Sequence, residues 1–471
     1  MADTNLRSSI VRGTSYLAAR SAIGFAVGLG GMLLLTRLIG AENYGLYVTI
    51  STVISYMSDI ALMGVSNYII RKEEVVGRSL YDLAFTFALL ASLAAIGVGI
   101  GFSSFLSGWL HSPEIRLPFL ITLIALPISA LLLPSQTMLE KELNYKQIAF
   151  LEMHTQFVYY GVALALAYAG FGIWAPVVGN IVQGAAAVVI GCRYARYVPS
   201  LYWSWKPLKE MLQYGIANSF SKRVWGLRAL ISPLIVGRFA GPEGVAVVSI
   251  ALRLIQALSV VNGTIMRVSF SVLAKLQQDK RRMELALNEA MTMQIFSIAP
   301  FLIGFAVLGH WVVPLLFDDA WDAILVIYPY LAFKYMIYGI FNLQMNVLYV
   351  YGKNWEVTRF NLLHVGILAL LTFLLVPRFG LNGYAWAEVA AIATYYAIHR
   401  DVSVSLNVDY REPFFYTLLC IPAMFAPLLP FPWALLLLLP LLLFLVMSKP
   451  RSQIIGYSRQ LLRKEKPLEA V

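Results

Sequence analysis

Of 471 residues only two are cysteine, Cys192 and Cys420, and both fall in apolar stretches without the spacing of a metal site. Neither a disulfide scaffold nor a bound metal is expected. Charge is equally sparse: Asp, Glu, Lys and Arg make up 13% of the chain, about half the share of a typical soluble protein. No glycine-rich phosphate loop, zinc motif or nucleophile elbow occurs, so ATP hydrolysis is not expected, the chain reads as a non-enzyme, and no cofactor is implied. A selectivity-filter sequence is missing too, which argues against an ion channel.

Apolar residues fill the space that charge leaves. The chain is 59% hydrophobic with a mean hydropathy of +0.71. Continuous apolar runs without strand-like alternation point to an all-α polytopic membrane protein. Such runs bounded by charges or turn residues give about fourteen transmembrane helices: 10–36, 43–70, 79–109, 117–139, 147–169, 172–192, 208–237, 244–274, 285–309, 323–351, 355–377, 380–399, 413–430 and 432–448. Met1 to Arg12 is polar, so no cleavable leader is expected and the first helix is retained.

Basic residues set the orientation. Placing the N-terminus in the cytoplasm puts 25 of the 36 Lys and Arg at cytoplasmic ends and only Arg37, Arg116, Arg238 and Arg378 outside. That bias predicts a multi-pass protein of the cytoplasmic (inner) membrane with both termini cytoplasmic. The net charge of +11 then reflects topology and anionic membrane lipid, with no call for nucleic acid.

The remaining seven cations are intramembrane: Arg20, Lys222, Arg223, Arg228, Arg253, Arg267 and Lys334. Each would cost roughly 2.5 to 3.5 kcal/mol at a membrane mid-plane, so they must face something polar. Arg253, Gln256, Thr264 and Arg267 fall on one helical stripe, as the wall of a wet cavity would require. Lys222, Arg223 and Arg228 spread over a wider arc, which a bend at Pro233 would alter. The embedded acids, Asp59, Asp82, Glu152 and Glu388, lie outside the seventh, eighth and tenth spans.

The chain also repeats itself. Arg37-Leu38-Ile39-Gly40-Ala41-Glu42 is echoed by Arg238-Phe239-Ala240-Gly241-Pro242-Glu243, and Gly170-Phe171-Gly172-Ile173-Trp174-Ala175 by Gly380-Leu381-Asn382-Gly383-Tyr384-Ala385. Offsets of 201 and 210 residues at equivalent turns predict two parallel six-helix lobes around a central cationic cavity, plus a C-terminal helix pair. The expected domains are an N-terminal lobe at 1–195, a cytoplasmic linker at 196–207, a second lobe at 208–405, the extra pair at 406–448 and a basic cytoplasmic tail at 449–471.

With its long first helix, the R-x-x-G-x-E turn, Ser58-Asp59-Ile60-Ala61-Leu62 in the second helix and the G-x-G-x-W/Y-A turn, the chain resembles the polysaccharide-export flippases. These lipid-linked oligosaccharide flippases belong to the multidrug, oligosaccharidyl-lipid and polysaccharide exporter superfamily. The resemblance spans roughly residues 5–405; Ala61 departs from it, where glycine is expected. It implies a two-lobe secondary transporter that flips an isoprenoid (pyro)phosphate-linked oligosaccharide repeat unit across the membrane for polysaccharide biosynthesis, such as exopolysaccharide or O-antigen. A polysaccharide polymerase and export proteins would be its partners. Under that reading the seven cations bind the (pyro)phosphate, because an Arg fork donates paired hydrogen bonds to phosphate oxygens. Tyr338, Asn342 and Gln256 are candidate sugar contacts, and Asp59, Glu388 and Glu152 candidate coupling-ion sites. The alternatives are a peptidoglycan-precursor flippase, a drug/cation antiporter of the same superfamily, and a membrane polymerase or ligase of lipid-linked sugars. The basic excess tells against a cation exporter, and the short external connections against a polymerase or ligase.

Overall fold

The computed structural model describes residues 2–74, 76–317, 321–430 and 432–442, with the side chains of 2–23, 25, 217, 218 and 264 outside the described set. Among the described residues the protein is all-helical, without strands. It opens with α1 (Ala2–Leu62), α2 (Val65–Arg71), α3 (Arg78–Leu110), α4 (Arg116–Thr122), α5 (Ala125–Lys141), α6 (Tyr145–Tyr168), α7 (Trp174–Ala195), α8 (Trp205–Gly226) and α9 (Arg228–Ile231). Then follow α10 (Gly237–Leu258), α11 (Val260–Lys275), α12 (Lys280–Leu316), α13 (Ala323–Val350), α14 (Asn354–Ala390), α15 (Tyr396–Ser403) and α16 (Arg411–Met424). The chain divides into two compact units, Met1–Ser249 with Thr372–Gly380, and Ile250–Leu371 with Leu381–Val471.

Among the described residues eight helical stretches are long and apolar enough to cross a membrane. Fewer stretches than the fourteen expected spans appear, partly because three of the eight hold two spans each: Ala26–Leu62, Ser219–Leu258 and Asn354–Ser403. Helix runs on through the expected turn in each, broken by a single glycine. At Gly40 (φ 79°, ψ 167°) and Gly241 (φ 71°, ψ 178°) the backbone enters a region open essentially to glycine alone. Those glycines are the fourth residue of the two R-x-x-G-x-E turns, so the sequence echo is also a conformational one. The kink in α14 falls at Gly380, again with positive φ. Of the last pair of expected helices, α16 is a 14-residue helix and Trp433–Leu441 a 3-10 segment. Residues 443–448 and the basic tail 449–471 lie outside the described residues.

In the first unit the two repeated turns meet. A Cβ on Gly45 would stand 1.8 Å from the carbonyl oxygen of Pro242, so α1 and α10 touch backbone to backbone. Nearby, Trp109 Nε1 donates to the Leu234 carbonyl at 2.8 Å, inside the π-helical turn Ser232–Val236 that contains Pro233. Proline lacks the amide that an α-helical turn needs, and the wider turn accommodates the loss. Arg238 in turn donates to the Trp109 carbonyl at 2.9 Å and lies over its ring. At the other end of α1 a second close approach sets Gly215 of α8 against the Met63–Gly64 turn, where a Cβ would lie 2.3 Å from the Met63 carbonyl.

Each unit fastens one loop to one helix by the same device. In the first, Ser200 N donates to Asp82 Oδ1 at 3.3 Å and Tyr202 N to Thr86 Oγ1 at 2.9 Å. In the second, Asn407 N donates to Glu284 Oε1 at 2.7 Å and Asp409 N to Asn288 Oδ1 at 3.2 Å. Asp82 and Thr86 on α3 precede Glu284 and Asn288 on α12 by 202 residues, and both pairs are spaced i, i+4, so they project from one helix face. Tyr197 adds a hydrogen bond to Asp82; burial and the carboxylate hold its phenol well above the usual tyrosine range, so it acts as the donor. Asp82, read from sequence as an embedded acid, is therefore the anchor of the 197–202 loop. The second unit is built around α13, buried along most of its length; α16 packs on α12 through the Phe296–Tyr416 ring contact, and Phe425, just after α16, meets Tyr330 of α13.

The Gly45 contact yields a direct test. Gly45→Ala places a methyl group inside the Pro242 carbonyl and should destabilise the protein by about 1–3 kcal/mol, whereas Gly97→Ala, with open space around it, should not. Thermal unfolding in detergent reads the difference; equal melting temperatures would contradict the close approach.

Candidate functional site

The cation-bearing stretches are less regular than their periodicity predicts. The expected eighth span breaks at Ser259, leaving Arg253 and Gln256 on α10 and Arg267 on α11. The 100° stripe therefore does not run through one helix, although all three side chains are exposed. Arg267 Nε donates to the Gly263 carbonyl at 3.2 Å. Lys222 and Arg223 lie on α8 and Arg228 on α9, with a break at Leu227 between them. Lys222 is exposed; Arg228 is half-buried with its guanidinium over the Trp225 ring. Arg20 falls where side chains are not described.

Arg223 reaches α1. Its Nε donates to the Asp59 carbonyl at 3.3 Å, and Tyr56 OH donates to the Arg223 carbonyl at 3.4 Å. Two of the named candidates, a cation and an acid, are thus brought to one place in the first unit. Glu152 lies on α6, half-buried, in the wall of a separate cavity in that unit.

In the second unit Lys334 and Glu388 meet. Lys334 is 4% exposed and Glu388 fully buried, and Nζ stands 3.2 Å from Oε2. Tyr384, one turn before Glu388, donates to its Oε1 at 2.8 Å. The Tyr338 ring lies 5.5 Å from the ammonium, so the tyrosine expected to touch sugar is in contact with Lys334. Asn342 is half-buried further along α13. The pairing of a named phosphate ligand with a named coupling acid was not foreseen, because they are 54 residues apart on different helices. Tyr384 was also missed, although its i, i+4 spacing to Glu388 is readable. The second unit holds a further buried polar group: His364 Nδ1 is 2.8 Å from Thr394 Oγ1, and its ring stacks on Tyr395. Gln344 and His399 both reach Tyr410, whose phenol, in the loop before α16, burial pushes up to about 12. Among the described residues no cluster of His, Cys, Asp and Glu is arranged to hold a metal ion.

The fold is shared with a solved lipid II flippase, MurJ, in an inward closed conformation: TM-score 0.67 at 14% identity, covering 94% of this chain and all of that one. The architecture is accordingly that of an all-helical, multi-pass membrane protein. The sequence signature described as polysaccharide biosynthesis protein matches residues 34–326, more than half of the chain. The chain belongs to that family. The lipopolysaccharide biosynthesis protein WzxC of Escherichia coli (strain K12) is 24% identical over 332 residues, 68% of this chain and 66% of that protein. The succinoglycan biosynthesis transport protein ExoT of Rhizobium meliloti (strain 1021) is 22% identical over 292 residues, 61% of this chain and 58% of its own length. The chain thus spans less than two thirds of each of these curated relatives, 66% of one and 58% of the other.

The buried pair can be probed through stability. Glu388→Gln leaves the Lys334 ammonium without its counter-charge and should cost about 3–5 kcal/mol. The double variant Lys334→Met/Glu388→Leu removes both desolvation penalties and should recover most of that loss. Thermal unfolding of the three purified proteins measures this; equal losses in the single and double variants would mean that the charges do not act on each other.

Proposed function

We propose that this protein is a secondary transporter that flips an isoprenoid (pyro)phosphate-linked oligosaccharide repeat unit outward across the cytoplasmic membrane for polysaccharide biosynthesis. The observation that carries the reading is Lys222, Arg223 and Arg228 set within seven residues of one another in a membrane-length helical stretch, in a chain of the polysaccharide biosynthesis family. A substrate whose head carries a diphosphate supplies the negative charge that such a stretch calls for. Arg20, Arg253, Arg267 and Lys334 complete the proposed set of phosphate-binding cations, with Tyr338, Asn342 and Gln256 as sugar contacts. The lobes 1–195 and 208–405 are the proposed moving bodies, both termini face the cytoplasm, and polymerase and export proteins receive the flipped unit. The repeated glycine turns and the repeated loop fastening support this two-lobe division.

Coupling is assigned to the Lys334–Glu388 pair, with Asp59 and Glu152 as further ion-binding carboxylates. A proton on Glu388 cancels its charge and removes its attraction for the buried Lys334 ammonium, which favours a rearranged state. Binding energy of the ion is thereby turned into a shift between conformations. A peptidoglycan-precursor substrate has only fold similarity behind it.

The test uses proteoliposomes containing the purified chain and lipid-linked oligosaccharide from a polysaccharide-producing cell. Flipping should follow an imposed proton gradient without ATP, and Arg223→Ala and Arg253→Ala should abolish it at normal protein abundance. Strict dependence on ATP, or full flipping by both variants, would overturn the proposal.

A further inference from the structure

The first unit contains a cavity of about 300 Å³ walled by α5, α6 and α7, whose polar lining is Ser129, Gln136, Glu152, Thr155, Asn180 and Gln183. A second cavity, of about 310 Å³, shares Ser129, Leu132 and Gln136 with the first and adds Ser58, Ser66 and Glu140. Each reaches the lower end of the range of ligand pockets, roughly 300–1,000 Å³. Among the described residues neither wall contains Lys or Arg. We infer that these joined cavities form a saccharide site that receives sugar residues of the transported lipid, an inference that rests on the transport reading above.

The chemistry of the wall selects the ligand. Primary amides and hydroxyls both donate and accept, as sugar hydroxyls do, so they can match a hydroxyl-rich ring atom for atom. Asn180 and Gln183 are one turn apart on the same face of α7. Gln136 Nε2 already donates to Glu140 Oε1 at 2.9 Å, which fixes its amide and leaves a second N–H and the carbonyl oxygen for a ligand. A hydrocarbon tail would offer the Asn180 and Gln183 amides nothing to hydrogen-bond. A diphosphate would meet two carboxylates and no cation.

Local packing gives the space its shape. A Cβ on Gly184 would come within 2.8 Å of Ile128 Cγ2, and one on Gly191 within 2.9 Å of Leu132 Cδ1, so α7 lies close against α5 on either side of the opening. One of the cations proposed above for phosphate, Arg223, lies in the same unit. Ser58 in the cavity wall precedes Asp59, whose carbonyl accepts from Arg223.

Binding to the full-length protein in lipid nanodiscs tests this, with two probes: lipid-linked oligosaccharide isolated from a polysaccharide-producing cell, and the same isoprenoid diphosphate without sugar. Asn180→Leu and Gln183→Leu should each weaken binding of the saccharide-bearing lipid about tenfold, the effect of one lost buried hydrogen bond, and leave the bare lipid unchanged. Gln183→Glu, which keeps the size and changes the donor, should weaken it as well. Undiminished binding of the bare lipid shows that a variant is folded. Equal losses on both lipids, or none on either, would overturn the saccharide site, as would wild-type protein that binds both lipids equally. Wild-type protein that binds neither lipid would instead remove the transport reading on which the inference stands.

Discussion

An ammonium and a carboxylate 3.2 Å apart in the interior of the second unit state the constraint under which the whole molecule is built. Apolar surroundings give a charge nothing to hydrogen-bond, so each ionic or polar group has to find a partner inside the protein or stand where water or a ligand can reach it. Lys334 takes the first course, together with Glu388, Tyr384 and the face of Tyr338. Lys222 is exposed and takes the second, and Arg267 combines the two, exposed while its Nε donates to the Gly263 carbonyl. The same rule governs the backbone. Where α1 and α10 bend, the chain does so at glycines, and where Pro233 removes an amide, an indole nitrogen supplies the neighbouring carbonyl with a donor.

The helical, multi-pass class was readable in the sequence because an apolar run of twenty residues has one stable form in a membrane. The two R-x-x-G-x-E turns were readable for a related reason: a glycine at a fixed place between long apolar runs marks a backbone bend that other residues resist. Boundaries between spans were less visible. A kink at one glycine does not interrupt helix on either side, so sequence counted two spans where the structure has one bent helix, and Ser259 broke a span that hydropathy had joined.

Pairing was the hardest to read. Periodicity tells which residues share a face of one helix, and it placed Lys334 with Tyr338 correctly. It carries no information on which helix lies opposite, so Glu388 was weighed by itself as a coupling acid and Lys334 by itself as a phosphate ligand. Gln136, Asn180 and Gln183 are illegible in the sequence for another reason: they are isolated amides in apolar spans, and their common wall exists only once α5 and α7 are packed together.

The recurrence of one loop fastening 202 residues apart bears on how such a chain is assembled during synthesis. Asp82 and Thr86 hold residues 200 and 202, all within the first unit, so this closure requires nothing made later than Tyr202. The second closure, between Glu284 with Asn288 and residues 407 and 409, has the same self-sufficiency. A ribosome feeding the membrane therefore delivers the ends of each closure within one stretch of about 120 residues, and the first can lock while the second half is still being translated. Order of emergence and order of locking coincide, which spares the nascent chain a long interval with two open bundles competing for the same helices.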